Sequence, residues 1–265
     1  MLGLENVEFS YGEVAVLHGV SLNLQPGEFV AFGGRNGSGK TTVTRLLMGL
    51  EKPSAGHVYL DGEDITRQDA GLRSRHIGYV FQQPERQMFR STVYEEVAFG
   101  PQQQGIKGEA LRERVEHALD ACRLQHLRDT YPQSLTRGEK QRVAIASALA
   151  MQTRFLILDE PTSGQDGGDR DTLLQLLDQL KQEGIGVLFV THDMEIIAAH
   201  CDRAIVLGQG KIVFDGTPET LFLHTPELEE WGLARPTSVA LGRELPDAPY
   251  CPKMEDFMQH LLGGK

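Results

Sequence analysis

Eight consecutive residues constrain this chain more than any others: Gly34-Arg35-Asn36-Gly37-Ser38-Gly39-Lys40-Thr41. They satisfy the pattern G-x-x-x-x-G-K-[ST] and follow an apolar run at residues 28–32. They open a segment in which Val43, Leu46, Leu47 and Leu50 recur at helical spacing until Pro53. Strand, glycine-rich turn and helix in that order form the context in which this pattern is a phosphate-binding loop. The glycines let successive backbone N–H groups curl around phosphate oxygens, and the helix start adds positive potential. Gly34, Arg35, Asn36, Gly37, Ser38, Gly39, Lys40, Thr41 and the following Thr42 are therefore candidate nucleotide ligands. Lys40 is suited to the β/γ-phosphates and the Thr41 hydroxyl to Mg²⁺. The loop by itself implies nucleotide binding and leaves kinase, GTPase and motor chemistry open.

A second apolar run, Phe155-Leu156-Ile157-Leu158, ends in Asp159-Glu160, and another spans residues 186–190. Between them, residues 170–182 carry Leu173, Leu174, Leu176, Leu177 and Leu180 at helical spacing. Strand, helix, strand with continuously apolar strands predicts an α/β chain with a parallel sheet covered by helices. A carboxylate at the C-terminal tip of such a strand falls beside the phosphate loop. Asp159 is thus a candidate for the Mg²⁺ shell, and Glu160 a candidate base for the attacking water.

Elsewhere residues 7–11 and 14–24 read as strands, and Pro26-Gly27 as a turn before the strand that leads into the loop. Residues 56–60 alternate and end in the hairpin signal Asp61-Gly62. Residues 108–127 and 143–151 read as helices. Beyond residue 220 the chain is punctuated by Pro226, Pro236, Pro246, Pro249 and Pro252 around Trp231, and reads as a small appendage over residues 221–265. The 26 Lys and Arg against 37 Asp and Glu give a net charge of −11, which argues against a coat for DNA or anionic lipid, so no nucleic-acid partner is expected. Cys122, Cys201 and Cys251 form no C-x-x-C pair, so neither a zinc site nor a disulfide framework is implied, and a reducing cytosol fits best. No basic-then-apolar leader and no run of about 20 apolar residues is seen, so the chain is expected not to cross a membrane by itself.

Residues 134–147 carry Ser134-Leu135-Thr136-Arg137-Gly138-Glu139-Lys140-Gln141-Arg142 and an alanine-rich continuation, which resembles the signature motif of ATP-binding cassette (ABC) proteins. Five further elements fall in that family's order: Tyr11, the phosphate loop, Gln82 in Tyr79-Val80-Phe81-Gln82-Gln83-Pro84, Ser163-Gly164-Gln165-Asp166, and His192 in Val190-Thr191-His192-Asp193. The resemblance implies a cassette over residues 1–220, with an N-terminal antiparallel β-subdomain and a helical subdomain at about 84–152. It implies ATP and Mg²⁺ as cofactors, Tyr11 stacked on adenine and Gln82 touching Mg²⁺ or water. His192 would act at the γ-phosphate and Asp166 in the D-loop. Leu135, Thr136, Arg137, Gly138 and Glu139 would face the ATP of an opposing subunit. Cassettes of this family work as head-to-tail dimers, so a second copy or a paralogue is implied, and the tandem-cassette translation factors are excluded.

The departure from the family pattern is Arg137, which stands where a glycine is usual. With negative φ its side chain would lie along the dimer seam toward phosphate or a partner carboxylate; with positive φ it would strain that half-site. The stretch from Glu85 to Phe89, then Thr92 to Pro101, and the segment from Trp231 to Pro236 resemble the ATPases of energy-coupling factor (ECF) importers and their cobalt- and nickel-importing relatives. That resemblance implies an ATP-hydrolysing subunit of an importer of vitamins or transition metals, held peripherally at the cytoplasmic face of the membrane. An integral-membrane coupling protein and a substrate-capture subunit would be its partners. Met88, Phe89, Tyr94 and Phe99 read either as a groove for a coupling helix or as ordinary core. The competing class is a non-transport ABC ATPase serving iron–sulfur assembly or DNA.

Overall fold

The alternation of apolar residues in the first 24 positions produces two long antiparallel strands, β1 (Leu2–Tyr11) and β2 (Val14–Leu24), turned at Gly12. The computed structural model describes residues 1–245 and 249–263. β3 (Phe29–Gly33) is buried at every position, as its unbroken apolar run requires, and the phosphate loop leads from it into α1 (Lys40–Met48). α1 stops at Gly49, whose left-handed φ of 78° ends the helix ahead of Pro53. β4 (Ala55–Leu60) and β5 (Glu63–Asp64) form the expected hairpin, with φ of 52° at Asp61 and 84° at Gly62. α2 (Ala70–Arg73) and β6 (Ile77–Val80) follow.

The next segment is helical: α3 (Val93–Gln103), α4 (Gly108–Ala121) and α5 (Arg137–Ala150). Two boundaries differ from the sequence reading. The helix expected over 108–127 ends at Ala121, because Arg123 takes a φ of 56° and breaks it. The helix expected from 143 begins at Arg137, because Thr136 and Glu139 form a capping box. Apolar spacing marks only the buried face, so a polar first turn leaves no signal in it. The chain continues through β7 (Phe155–Asp159), α6 (Gly167–Gln182), β8 (Gly186–Val190), α7 (Met194–His200), β9 (Arg203–Gly208) and β10 (Lys211–Gly216).

Two sheets result, ordered β2-β1-β4-β5 and β10-β9-β3-β8-β7-β6. The second is parallel except for β10 at its edge. One face of the parallel sheet packs with α1 and the antiparallel sheet, through residues such as Val7, Leu46, Val58 and Ile157. The other face packs with α3 to α6, through Val97, Leu119, Ile145, Leu177 and Phe189. Of the last elements, α8 (Pro218–His224) and α9 (Thr237–Gly242) share a third cluster, in which Phe222, Leu228, Leu233 and Val239 bury against Ala31, Ile197 and Val206, and α10 (Met254–Gly263) packs on α9. Of the prolines in this part, Pro246 lies outside the described residues.

One buried cation holds α1 in place. Arg73 is 1% exposed, and its guanidinium donates to the carbonyls of Leu46 and Leu47 at the end of α1, and to those of Ile65, Thr66 and Gln68. Burial lowers its pKa to about 10, which leaves it charged at neutral pH, where it complements the negative end of the helix.

Candidate active site

The phosphate loop needs glycine where the backbone turns left-handed under a tight roof. Gly34 has φ 132° and would overlap the Leu207 carbonyl with any Cβ; Gly39 has φ 109°, and a Cβ there would lie 2.8 Å from Leu17 Cδ2. Lys40, read from sequence as a loop residue, is instead the first residue of α1 and is buried. Its Nζ donates to the carbonyls of Gly34 at 2.7 Å and Arg35 at 3.0 Å, so the cation is held across the mouth of the loop. Burial lowers its pKa, against the opposing pull of Glu160 and Asp159. Ser38 Oγ is buried without a hydrogen-bond partner among the described residues, and Thr42, in the first turn of α1, is buried too. Tyr11 stands at the end of β1, half exposed and edge-on to Phe9 with ring centroids 4.7 Å apart.

The tips of β6, β7 and β8 bring the acidic and polar candidates together. Asp159, buried at the end of β7, accepts from Thr41 Oγ1 at 3.3 Å and from the Tyr79 hydroxyl at 3.4 Å. Burial raises its carboxyl pKa and the charge of Glu160 adds to this, while the bonds from Thr41 and Tyr79 and the nearby Lys40 oppose the rise. Glu160 leaves the strand with φ 48°, and its N–H donates to the Val190 carbonyl of β8 at 3.0 Å. Its carboxylate accepts from Gln82 Nε2 at 2.8 Å and lies 3.7 Å from Nδ1 of the exposed His192. Among the described residues no group of three or more His, Cys, Asp or Glu forms a self-sufficient metal site. The hard oxygens of Thr41 and Asp159, with the buried carboxylate short of positive charge, fit Mg²⁺ completed by substrate phosphates.

The signature residues are engaged within their own chain. Leu135 is buried under the helices. The Thr136 hydroxyl accepts from the Glu139 N–H at 3.3 Å and donates to the Glu139 carboxylate at 2.9 Å, while that carboxylate also accepts from the Thr136 N–H at 2.8 Å. A Cβ on Gly138 would overlap the Asp169 carboxylate, so the close approach kept by this glycine is to α6. Arg137 has helical backbone as the first residue of α5, and its guanidinium turns to the Gln82 carbonyl at 3.4 Å, in its own chain. Asp166 caps α6 by accepting from the Asp169 N–H at 2.9 Å.

A groove of about 290 Å³ runs between β6 and the ends of α3 and α5, lined by Ile77, Phe81, Met88, Phe89, Phe99 and Met151 among others. Tyr94, grouped with these from sequence, does not line it: its ring packs on the helical core beside the Arg128 guanidinium, 5.1 Å away. On an α-helix a residue five positions before Phe99 points elsewhere. Phe89 is 62% exposed and lies edge-on to Phe99 at 4.9 Å, and Arg90 stands over both rings.

The sequence reading did not single out Thr44, Tyr79, Glu96 or Arg142. Tyr79 links Thr44 to Asp159, Glu96 accepts from the N–H groups of Phe89 and Arg90 at 2.9 Å each, and Arg142 pairs with Asp169 at 3.1 Å. All but the Glu96 bonds, which span six and seven residues, are contacts between distant segments that no local pattern announces. The capping box alone was readable, as Thr-x-x-Glu before an apolar run.

Known proteins resemble this chain in sequence and fold. Residues 17–163 match the family model described as ABC transporter. The chain is 39% identical, over 98% of its own length and 96% of the other's, to the energy-coupling factor transporter ATP-binding protein EcfA2 of Caldanaerobacter subterraneus. It spans only 39% and 37% of the lengths of two other curated relatives that it matches. Among solved structures it superposes on CbiO1 of Clostridium perfringens, described as part of the ABC transporter complex CbiONQ, with a TM-score of 0.79 and 33% identity over 92% of this chain and 98% of that one. It also superposes, at a TM-score of 0.73 and 32% identity over 82% of this chain and 99% of the other, on an ATP-binding cassette captured as a post-hydrolysis dimer with ADP and Pi. Among the described residues no helix is long and apolar enough to cross a membrane. The match over more than half the chain, and over nearly all of it to EcfA2, places this chain in the ATP-binding cassette family of ABC transporters.

Proposed function

We propose that this chain hydrolyses ATP in a head-to-tail pair of cassettes, formed with a second copy or a paralogue, and that the cycle powers a membrane importer of the energy-coupling factor type. The observation that carries the hydrolytic reading is the Glu160 carboxylate, held 2.8 Å from Gln82 Nε2 and 3.7 Å from His192 Nδ1 beside the phosphate loop. In this reading Glu160 takes the proton of the attacking water and Gln82 orients that carboxylate. His192 steadies the γ-phosphate, and Lys40 neutralises charge at the β/γ-phosphates. Thr41, Asp159 and Gln82 would hold Mg²⁺, which would supply charge compensation on the phosphate oxygens. Tyr11 stacks on the adenine, Ser38 and the loop amides receive the phosphates, and Thr136, Gly138 and Glu139 with Asp166 meet the opposing cassette.

The likeness to EcfA2 and to CbiO1 supports the importer type. In such an assembly the groove bounded by Met88, Phe89 and Phe99 receives a helix of an integral-membrane coupling protein, while a separate membrane subunit captures the vitamin or metal ion. The chain then sits at the cytoplasmic face, with residues 1–220 as the cassette, 84–152 as its helical part and 221–265 as an added segment.

Co-expression with the integral-membrane proteins encoded beside it tests this reading. The expected result is recovery in the membrane fraction only with those partners, with ATP turnover in the assembled complex. A free ATPase stimulated by DNA or by a soluble scaffold would overturn the importer assignment.

A further inference from the structure

A guanidinium that replaces a glycine in a motif built for close approach must have somewhere to go. In this chain Arg137 folds back into its own subunit. Its Nη2 lies 3.4 Å from the Gln82 carbonyl oxygen, and its Nη1 lies over Gly164, where a Cβ would come within 2.9 Å of it. Gly164 has φ 72°, so its bare Cα faces the cation without cost. One side chain on α5 therefore touches the segments that leave β6 and β7, the two strands whose tips carry Gln82 and Glu160.

The neighbouring contacts run the same way. Gln133 Nε2 donates to the carbonyls of Glu85 and Met88 at 2.9 Å each, and Arg142 pairs with Asp169, whose N–H is held by Asp166. Gln82 stands in the middle: its carbonyl accepts from Arg137 and its side-chain amide donates to Glu160 at 2.8 Å. A bond at its carbonyl limits the swing of the Gln82 peptide and so favours the position from which its amide reaches Glu160.

We propose that Arg137 is a positioning residue for hydrolysis: it anchors the Gln82 main chain against Gly164 and thereby keeps the Gln82 amide on Glu160. This rests on the ATPase reading above. A charge-assisted bond to a carbonyl at an exposed site is modest, and so is the orientation it supplies. The effect belongs in the rate of the chemical step, not in ATP affinity.

The experiment is steady-state ATP hydrolysis by the assembled complex carrying wild type, R137M, R137K, Q82A or Q82A/R137M, with thermal melts of each chain. R137M is expected to lower kcat by roughly three- to tenfold, with KM for ATP within about twofold and an unchanged melting temperature. R137K should recover part of the loss, since a lysine keeps one donor for the carbonyl. Adding R137M to Q82A should cost nothing further, because the two residues act in series. An R137M loss that appears in KM alone, or that persists in full on the Q82A background, would overturn the proposal, as would wild-type turnover in R137M. A wild-type complex that hydrolyses no ATP would overturn the reading on which the proposal rests.

Discussion

Gln82 and Glu160 lie 78 positions apart in sequence, yet the amide of one donates to the carboxylate of the other at 2.8 Å. The bond is made possible by the left-handed backbone of Glu160, φ 48°, which turns its side chain off the line of β7 and toward the tip of β6. A non-glycine residue in that conformation costs about 1 kcal/mol or more, and the fold retains it at the point where the chemistry is expected.

Two substitutions at Glu160 separate those roles. Glu160→Gln keeps the shape and should lower ATP hydrolysis by about 10²–10⁴-fold, with ATP binding preserved. Glu160→Gly should be as inactive but should unfold at a slightly higher temperature, by up to about 1 kcal/mol of relieved strain. Turnover near wild type in Glu160→Gln would sink the assignment of the base.

Lys40→Ala removes the donor to the Gly34 and Arg35 carbonyls and the cation meant for the phosphates. ATP binding by calorimetry should be lost. The melting temperature should change by only a few degrees, since a buried cation with a lowered pKa is itself costly to fold. Micromolar ATP affinity in this variant would contradict the role given to Lys40.

Asp159 makes stability depend on pH in a direction that can be worked out. Its folded pKa is raised, mainly by burial, so the native chain holds this proton more tightly than the unfolded chain does. Stability therefore falls as pH climbs from the ordinary carboxylate range through the raised value, and the loss is complete above it. Asp159→Asn should melt a few degrees higher than wild type at neutral pH, and the gap should close on acidification, while Mg²⁺-dependent hydrolysis disappears. A gap that widens toward low pH would show that the carboxylate is stabilised, not strained, in the fold.

Arg73→Met leaves the carbonyls of Leu46, Leu47, Ile65, Thr66 and Gln68 without their donor in a buried site. The expected cost is at least about 3 kcal/mol, or roughly 10 °C in melting temperature for a chain of this size. Arg73→Lys should recover only a part, since an ammonium offers three donors in place of the guanidinium's five. A melting temperature within 2 °C of wild type, measured by calorimetry, would refute the bracing role.

What the sequence by itself determined is the part written in contiguous residues. The phosphate loop, the acidic pair after an apolar strand, the hairpin at Asp61-Gly62 and the parallel α/β sheet are all local patterns, and the structure carries each of them. The tertiary structure decided what those residues touch. Nothing in the sequence reading gave Arg73 a role, and only the end of α1 folding over it made it a buried brace. Arg137 read as a cation for a dimer seam, and the proximity of Gln82 and Gly164 turned it inward. Lys40 read as part of a loop, and the helix start claimed it. Tyr94 read either as groove or as core, and the fold put it on the helical core. The physical reason is the same throughout: backbone propensity and apolar period act within a few residues, whereas a polar side chain takes its partner from whichever donors and acceptors the packed elements leave nearest.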